Sequence, residues 1–149
     1  MIQIRLANED DASEIAEFQI RMAEETEDLE LDKMIVVDGV TSVFNDPQKG
    51  RYYVAAEKDK IVASMLITQE WSDWRNNWVY WLQSVYVLPE KRKQGIFEQM
   101  YEYVLKQVNE SHNVAGLRLY VDLENIGARN VYTKLGMNGD HYQVFEWMK

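Results

Sequence analysis

Apolar and polar positions alternate through residues 2–6, IQIRL, and predict a short strand. The period then lengthens: Ile15, Phe18 and Met22 fall on one face of a helix. Asp10 or Asp11 is placed to cap it, with Glu14 three residues after Asp11 as in a capping box. A strongly acidic stretch, ETEDLELD over 25–32, interrupts the pattern, and Leu31 to Phe44 predicts a second helix that Asn45-Asp46-Pro47 ends. Residues 51–56, RYYVAA, and 61–69, IVASMLITQ, read as strands joined by a polar turn, hence a hairpin. A loop, WSDWRNN, leads into 78–87, WVYWLQSVYV, an aromatic and β-branched strand apolar enough to be buried on both faces. From Gly95 to Asn109 the period returns to 3.6, with Ile96, Met100, Val104 and Val108 on one face and Glu98, Glu102 and Lys106 on the other. Residues 114–121, VAGLRLYV, predict a strand. Asn125 to Leu135 predicts a short helix stopped by Gly136, and 141–147, HYQVFEW, a closing strand.

The order β-α-α-β-β-β-α-β-α-β gives a mixed α/β sheet with helices packed on it. There is no repeat, no low-complexity segment and no linker, and the only prolines are Pro47 and Pro89, so 1–149 reads as one domain. Hydrophobic residues at 46% and charged residues at 28% are a globular balance. A net charge of −9 and a pI of about 4.7 argue against nucleic-acid binding and suit cationic partners. The absence of cysteine excludes disulfides, thiolate zinc sites and cysteine nucleophiles. His112 and His141 lack ligand-like spacing, so no metal site is expected. The polar start is no signal peptide and no apolar run has the length of a membrane span, so the expectation is a soluble, cytoplasmic protein with no membrane partner.

Candidate chemistry concentrates where the buried strand ends, from Val85 to Phe97, VYVLPEKRKQGIF. A helix that begins at a glycine offers unpaired N–H groups and the positive end of its dipole, which suits phosphate. Gly95 lets a ligand approach the backbone closely, and Lys91, Arg92 and Lys93 form the largest basic cluster in an acidic chain. An ordinary strand-to-helix connection with a solvated basic turn is the other reading of the loop taken alone. It is neither a P-loop nor a dinucleotide fingerprint.

Arg92-Lys93-Gln94-Gly95-Ile96-Phe97 resembles the R/Q-x-x-G-x-G/A motif of GNAT acetyltransferases, in the place that family has it, after a V-x-V-x-P strand. The resemblance implies the family's mixed, mostly antiparallel twisted sheet flanked by helices. It implies acetyl-CoA as donor, its pantetheine along Val85 and Val87 and its pyrophosphate cradled by Arg92 to Phe97. Phe97 stands where the family has Gly or Ala. A second segment, Asn125 followed by A-x-x-x-Y-x-x-x-G over Ala128 to Gly136, is also similar to the family. It implies that Asn125 touches the cofactor and that Tyr132 protonates the leaving thiolate. A helix cap and a core tyrosine are the alternatives for these two.

The reaction so implied is direct acetyl transfer to an amine acceptor, small molecule or peptide, with a backbone N–H near Val87 as oxyanion donor. Glu70 is the first candidate base, followed by Asp73 and Glu27. Trp71, Asp73 and Trp74, extended by Tyr80, Trp81 and Gln83, offer an aromatic and acidic wall for a cation, although the tryptophans could equally be packing. A non-catalytic acyl-CoA-binding module of the same fold is the competing reading. Exposed edge strands leave a homodimer open.

Overall fold

The alternation of IQIRL becomes β1, Ile2–Leu6, whose Arg5 reaches Asp11 through two hydrogen bonds of 2.7 and 2.9 Å. In the computed structural model, which describes all 149 residues, the chain divides into two compact units, Met1–Arg118 and Leu119–Lys149. The first unit continues with α1 (Ala12–Glu27), α2 (Lys33–Asn45), β2 (Arg51–Glu57), β3 (Lys60–Ser72), β4 (Asn77–Val87), α3 (Ile96–Glu110) and β5 (Val114–Arg118). Its five strands lie in sequence order; the first four pair antiparallel and β5 runs parallel to β4. This is the mixed, mostly antiparallel α/β sheet expected from the sequence.

The register assigns the two faces, because side chains alternate along each strand. Tyr52, Val54 and Tyr86 face the first two helices and form one core with Ile15, Phe18 and Val40. The neighbouring positions face α3: Tyr53 Oη donates to Gln107 Oε1 at 2.9 Å, and its ring meets Tyr103 edge-on.

Several boundaries move, each for a local reason. Asp11 holds the N-cap position of α1 as expected but makes no side-chain cap hydrogen bond, because its carboxylate is held by Arg5 and by the Asn8 N–H; Asn8 caps a 3₁₀ turn over Glu9–Asp11 that precedes the helix. Asp32 caps α2, accepting from Met34 and Ile35. The tryptophan-rich segment is a hairpin: Trp71 pairs with Trp78, their rings 5.0 Å apart and edge-on, and only residues 73–76 turn. Cross-strand aromatic packing extends the ladder past the point where polar residues suggest a loop.

The second unit, taken by itself, contains one regular element, α4 (Ile126–Lys134). Asn125 Oδ1 accepts from the Ala128 N–H at 3.1 Å, and Gly136, at φ +87°, closes the helix as expected. The expected strand over 114–121 is assigned only as far as Arg118, and 141–147 is not assigned as a strand. Alternation names the face of an extended segment, whereas a strand needs ladder hydrogen bonds to a partner. No helix is long and apolar enough to cross a membrane, and no group of three or more His, Asp or Glu side chains could hold a metal ion.

Candidate active site

The candidate site begins with a bend in β4. Gln83 pairs with Leu66 and Tyr86 with Ser64, so two residues, Ser84 and Val85, stand opposite Met65 alone. This is a β-bulge, and Ser84 adopts φ +49° to make it. A non-glycine residue held there costs of order 1 kcal/mol or more, and such strain gathers at functional sites. Beyond the bulge, the Leu88 N–H bonds to the Val62 carbonyl. By antiparallel alternation the N–H and C=O of Val87 then point away from β3. The Val87 carbonyl accepts from Arg92 Nε at 2.9 Å.

The connection into α3 follows. A 3₁₀ turn over Pro89–Lys91 hands the chain to Lys93 at φ +60° and Gly95 at φ +73°. Gly95 is the N-cap of α3 and supplies no side chain, so no capping side chain takes up the first-turn amides at the positive end of the helix dipole. A Cβ at Gly95 would meet nothing within 4 Å, so the left-handed backbone, and not crowding, requires glycine here. The Phe97 ring turns along the helix toward Tyr101, with centroids 6.2 Å apart. Gln94 Nε2 ties back to the Glu90 carbonyl at 3.0 Å.

The basic triplet behaves differently from its appearance in sequence. Lys91 pairs with Glu57, and Arg92 Nη2 pairs with Glu25 Oε2 at 2.6 Å. Lys93 is exposed and makes no ion pair. Two of the three charges are therefore neutralised within the protein, which leaves the amides of α3 and Lys93 as groups able to meet an anion.

Glu70 Oε1 accepts from Arg118 Nη1 at 2.6 Å. The register sets Glu70, Thr68, Trp81 and Gln83 on the face that carries Tyr86, with Gln83 Nε2 donating to Thr68 Oγ1 at 2.6 Å. Trp71 and Tyr80 occupy the opposite face, where Arg51 Nη2 donates to Tyr80 Oη at 2.8 Å. Asp73 and the 89%-exposed Trp74 lie at the hairpin tip, and Glu27 ends α1. The structure thus brings Glu70 together with Trp81 and Gln83, and not with Trp71 or Tyr80. In the second unit, Asn125 caps α4 and Tyr132 lies two turns along it; burial pushes the Tyr132 hydroxyl above its ordinary range.

Sequence reasoning missed Glu25, Arg118 and the bulge at Ser84. The ion-pair partners come from distant elements, and no glycine marks the bulge.

A family model described as the acetyltransferase (GNAT) family matches residues 8–137, and the chain belongs to that family. Among solved structures it is similar to a possible acetyltransferase from Clostridium difficile 630, with 42% identity and TM-score 0.92 over 100% of this chain and 98% of that one. It also shares its fold with a predicted acetyltransferase with acetyl-CoA from Clostridium acetobutylicum (19% identity, TM-score 0.77, covering 98% and 96% of the two chains). A ribosomal-protein-alanine N-acetyltransferase from Brucella melitensis biovar Abortus 2308 is a third (15% identity, TM-score 0.79, covering 100% of both). No curated protein matches the chain.

Proposed function

We propose that this protein transfers an acetyl group from acetyl-coenzyme A directly to an amine, on a small molecule or a peptide. The observation that carries the reading is the β4-to-α3 connection: an uncapped helix N-terminus opened by Gly95 at φ +73°, with Lys93 unpaired beside it. These groups fit a pyrophosphate, since amides and one flexible cation bind phosphate oxygens without a dedicated side-chain cage. Arg92 shapes the loop through Val87, and the backbone of Val85 within the bulge and of Val87 beyond it, the latter turned away from β3, suits the amides of pantetheine. The family match spans both units, which supports treating 1–149 as one functional domain. The same fold carries a protein named for N-acetylating a ribosomal protein's alanine, which supports an amine acceptor.

The bound donor supplies an activated thioester. The chain's own groups must take a proton from the amine, stabilise the oxyanion and give a proton to the thiolate. In this proposal Glu70 is the base, acting directly or through a water with the oxygen that Arg118 leaves free. A backbone N–H near Val87 stabilises the oxyanion. Asn125 contacts the donor, and Tyr132, kept protonated by burial, is the acid. Asp73 and Trp74 at the hairpin tip are candidates to meet the acceptor. Trp71 and Tyr80, on the face opposite Glu70, would contribute only to a wall around the edge of the sheet.

Gly95→Asp tests the loop, because it adds a negative charge where the phosphates would sit. Affinity for acetyl-CoA should fall more than about tenfold, corresponding to about 1.4 kcal/mol; unchanged affinity in calorimetry places the donor elsewhere. Donor binding with no turnover on a panel of polyamines, amino acids and peptides would favour a non-catalytic acyl-CoA-binding module.

A further inference from the structure

Glu25 lies in the last turn of α1, far in sequence from the loop, yet both its oxygens are used there. Oε1 accepts from Tyr86 Oη at 2.8 Å and Oε2 from Arg92 Nη2 at 2.6 Å. The same guanidinium donates from Nε to the Val87 carbonyl and lies 5.4 Å over the Tyr86 ring. Tyr86 is itself fixed, buried in the core with its ring 5.2 Å from Phe18 of α1. The hydrogen bond from Arg92, aided by that from Tyr86, holds the Glu25 carboxyl below the ordinary carboxylate range, so it is ionised at neutral pH. A charged, hydrogen-bonded cluster of three elements therefore stands behind the loop, and none of its contacts requires a ligand.

The geometry points to Glu25 as the positioning residue of the cofactor loop: it neutralises Arg92 and clamps it on the Val87 carbonyl, fixing the loop so that the α3 amides and Lys93 meet the phosphates. The inference rests on the acetyl-CoA reading of that loop. It opposes the prediction of simple charge counting. Removing a carboxylate beside a polyanion site raises the local positive potential and frees an arginine, which by itself tightens binding. Loss of preorganisation weakens it, because the loop must then be ordered on binding.

The test uses Glu25→Gln, Arg92→Gln and the double variant in the full chain. The Glu25 side chain is 37% exposed, so glutamine is accommodated. Two readouts are taken: calorimetric titration with coenzyme A, and amide hydrogen exchange over residues 88–95 in the unliganded proteins. In Glu25→Gln we expect faster exchange over 88–95 with the strands unchanged, and coenzyme A affinity about tenfold weaker. The double variant should bind no more weakly than Arg92→Gln alone, because the two residues act as one unit. Equal or tighter binding by Glu25→Gln, or additive losses in the double variant, overturns the inference. If the wild-type protein does not bind coenzyme A, the functional reading fails on its own. The exchange measurement still decides whether Glu25 fixes the loop, and unchanged exchange over 88–95 refutes it.

Discussion

At the scale of single residues, groups proposed for the reaction can be set beside those that hold the fold. Tyr132 is the acid of the proposed reaction, and burial favours its neutral form, as a proton donor requires. Tyr132→Phe should lower kcat by about 100-fold with little change in the KM for acetyl-CoA, the signature of a group that acts in the transition state. Equal loss in KM would make it a packing residue. Glu70→Gln should slow the reaction most at low pH, where the amine is protonated and needs a base; a pH-rate profile parallel to wild type removes Glu70 from that role. Asp11 illustrates the structural class. Arg5 hydrogen bonds, set against a smaller burial effect, hold its carboxyl below the ordinary range. Its contribution is thus fully present above about pH 4, where the unfolded carboxyl titrates, and fades as pH falls through the lower folded value. Asp11→Asn should cost about 2 kcal/mol in denaturant unfolding at pH 7, with the difference from wild type shrinking as the solution is acidified.

At the scale of elements, the legible features were those written in local periodicity. The helical face of Ile96, Met100, Val104 and Val108 is the buried face of α3, and the hairpin of β2 and β3 forms around its polar turn. Gly95 and Gly136 take left-handed conformations at the helix ends where they were placed. What stayed hidden depends on partners distant in sequence. Nothing near Arg92 reveals that Glu25 neutralises it, and nothing near Glu70 reveals Arg118. Tyr80 was grouped with the residues lining the acceptor wall, but the continued ladder from Trp71 to Trp78 sets it on the face opposite Glu70. The bulge is the sharpest omission, because Ser84 sits at φ +49° within a run rich in strand-forming residues. Ser84→Val raises intrinsic strand propensity and should nonetheless destabilise the protein by about 1–2 kcal/mol, since a β-branched side chain resists positive φ. A stabilised variant in thermal unfolding would show that β4 can relax out of the bulge.

At the scale of the whole molecule, an acidic chain with net charge −9 keeps a small basic segment beyond the end of β4, and the protein's own carboxylates neutralise most of that segment. Affinity for a phosphorylated donor then depends on the backbone amides of α3 more than on bulk charge, which predicts selectivity by shape and not for polyanions in general. The net negative potential suits a cationic acceptor without naming it. The most direct measurement is calorimetric titration of the purified protein with acetyl-CoA, coenzyme A and ATP at one ionic strength. We expect saturable binding of both coenzyme A species and none of ATP. No binding of either coenzyme A species, or binding of all three alike, would contradict the assignment of the β4-to-α3 loop as the cofactor site.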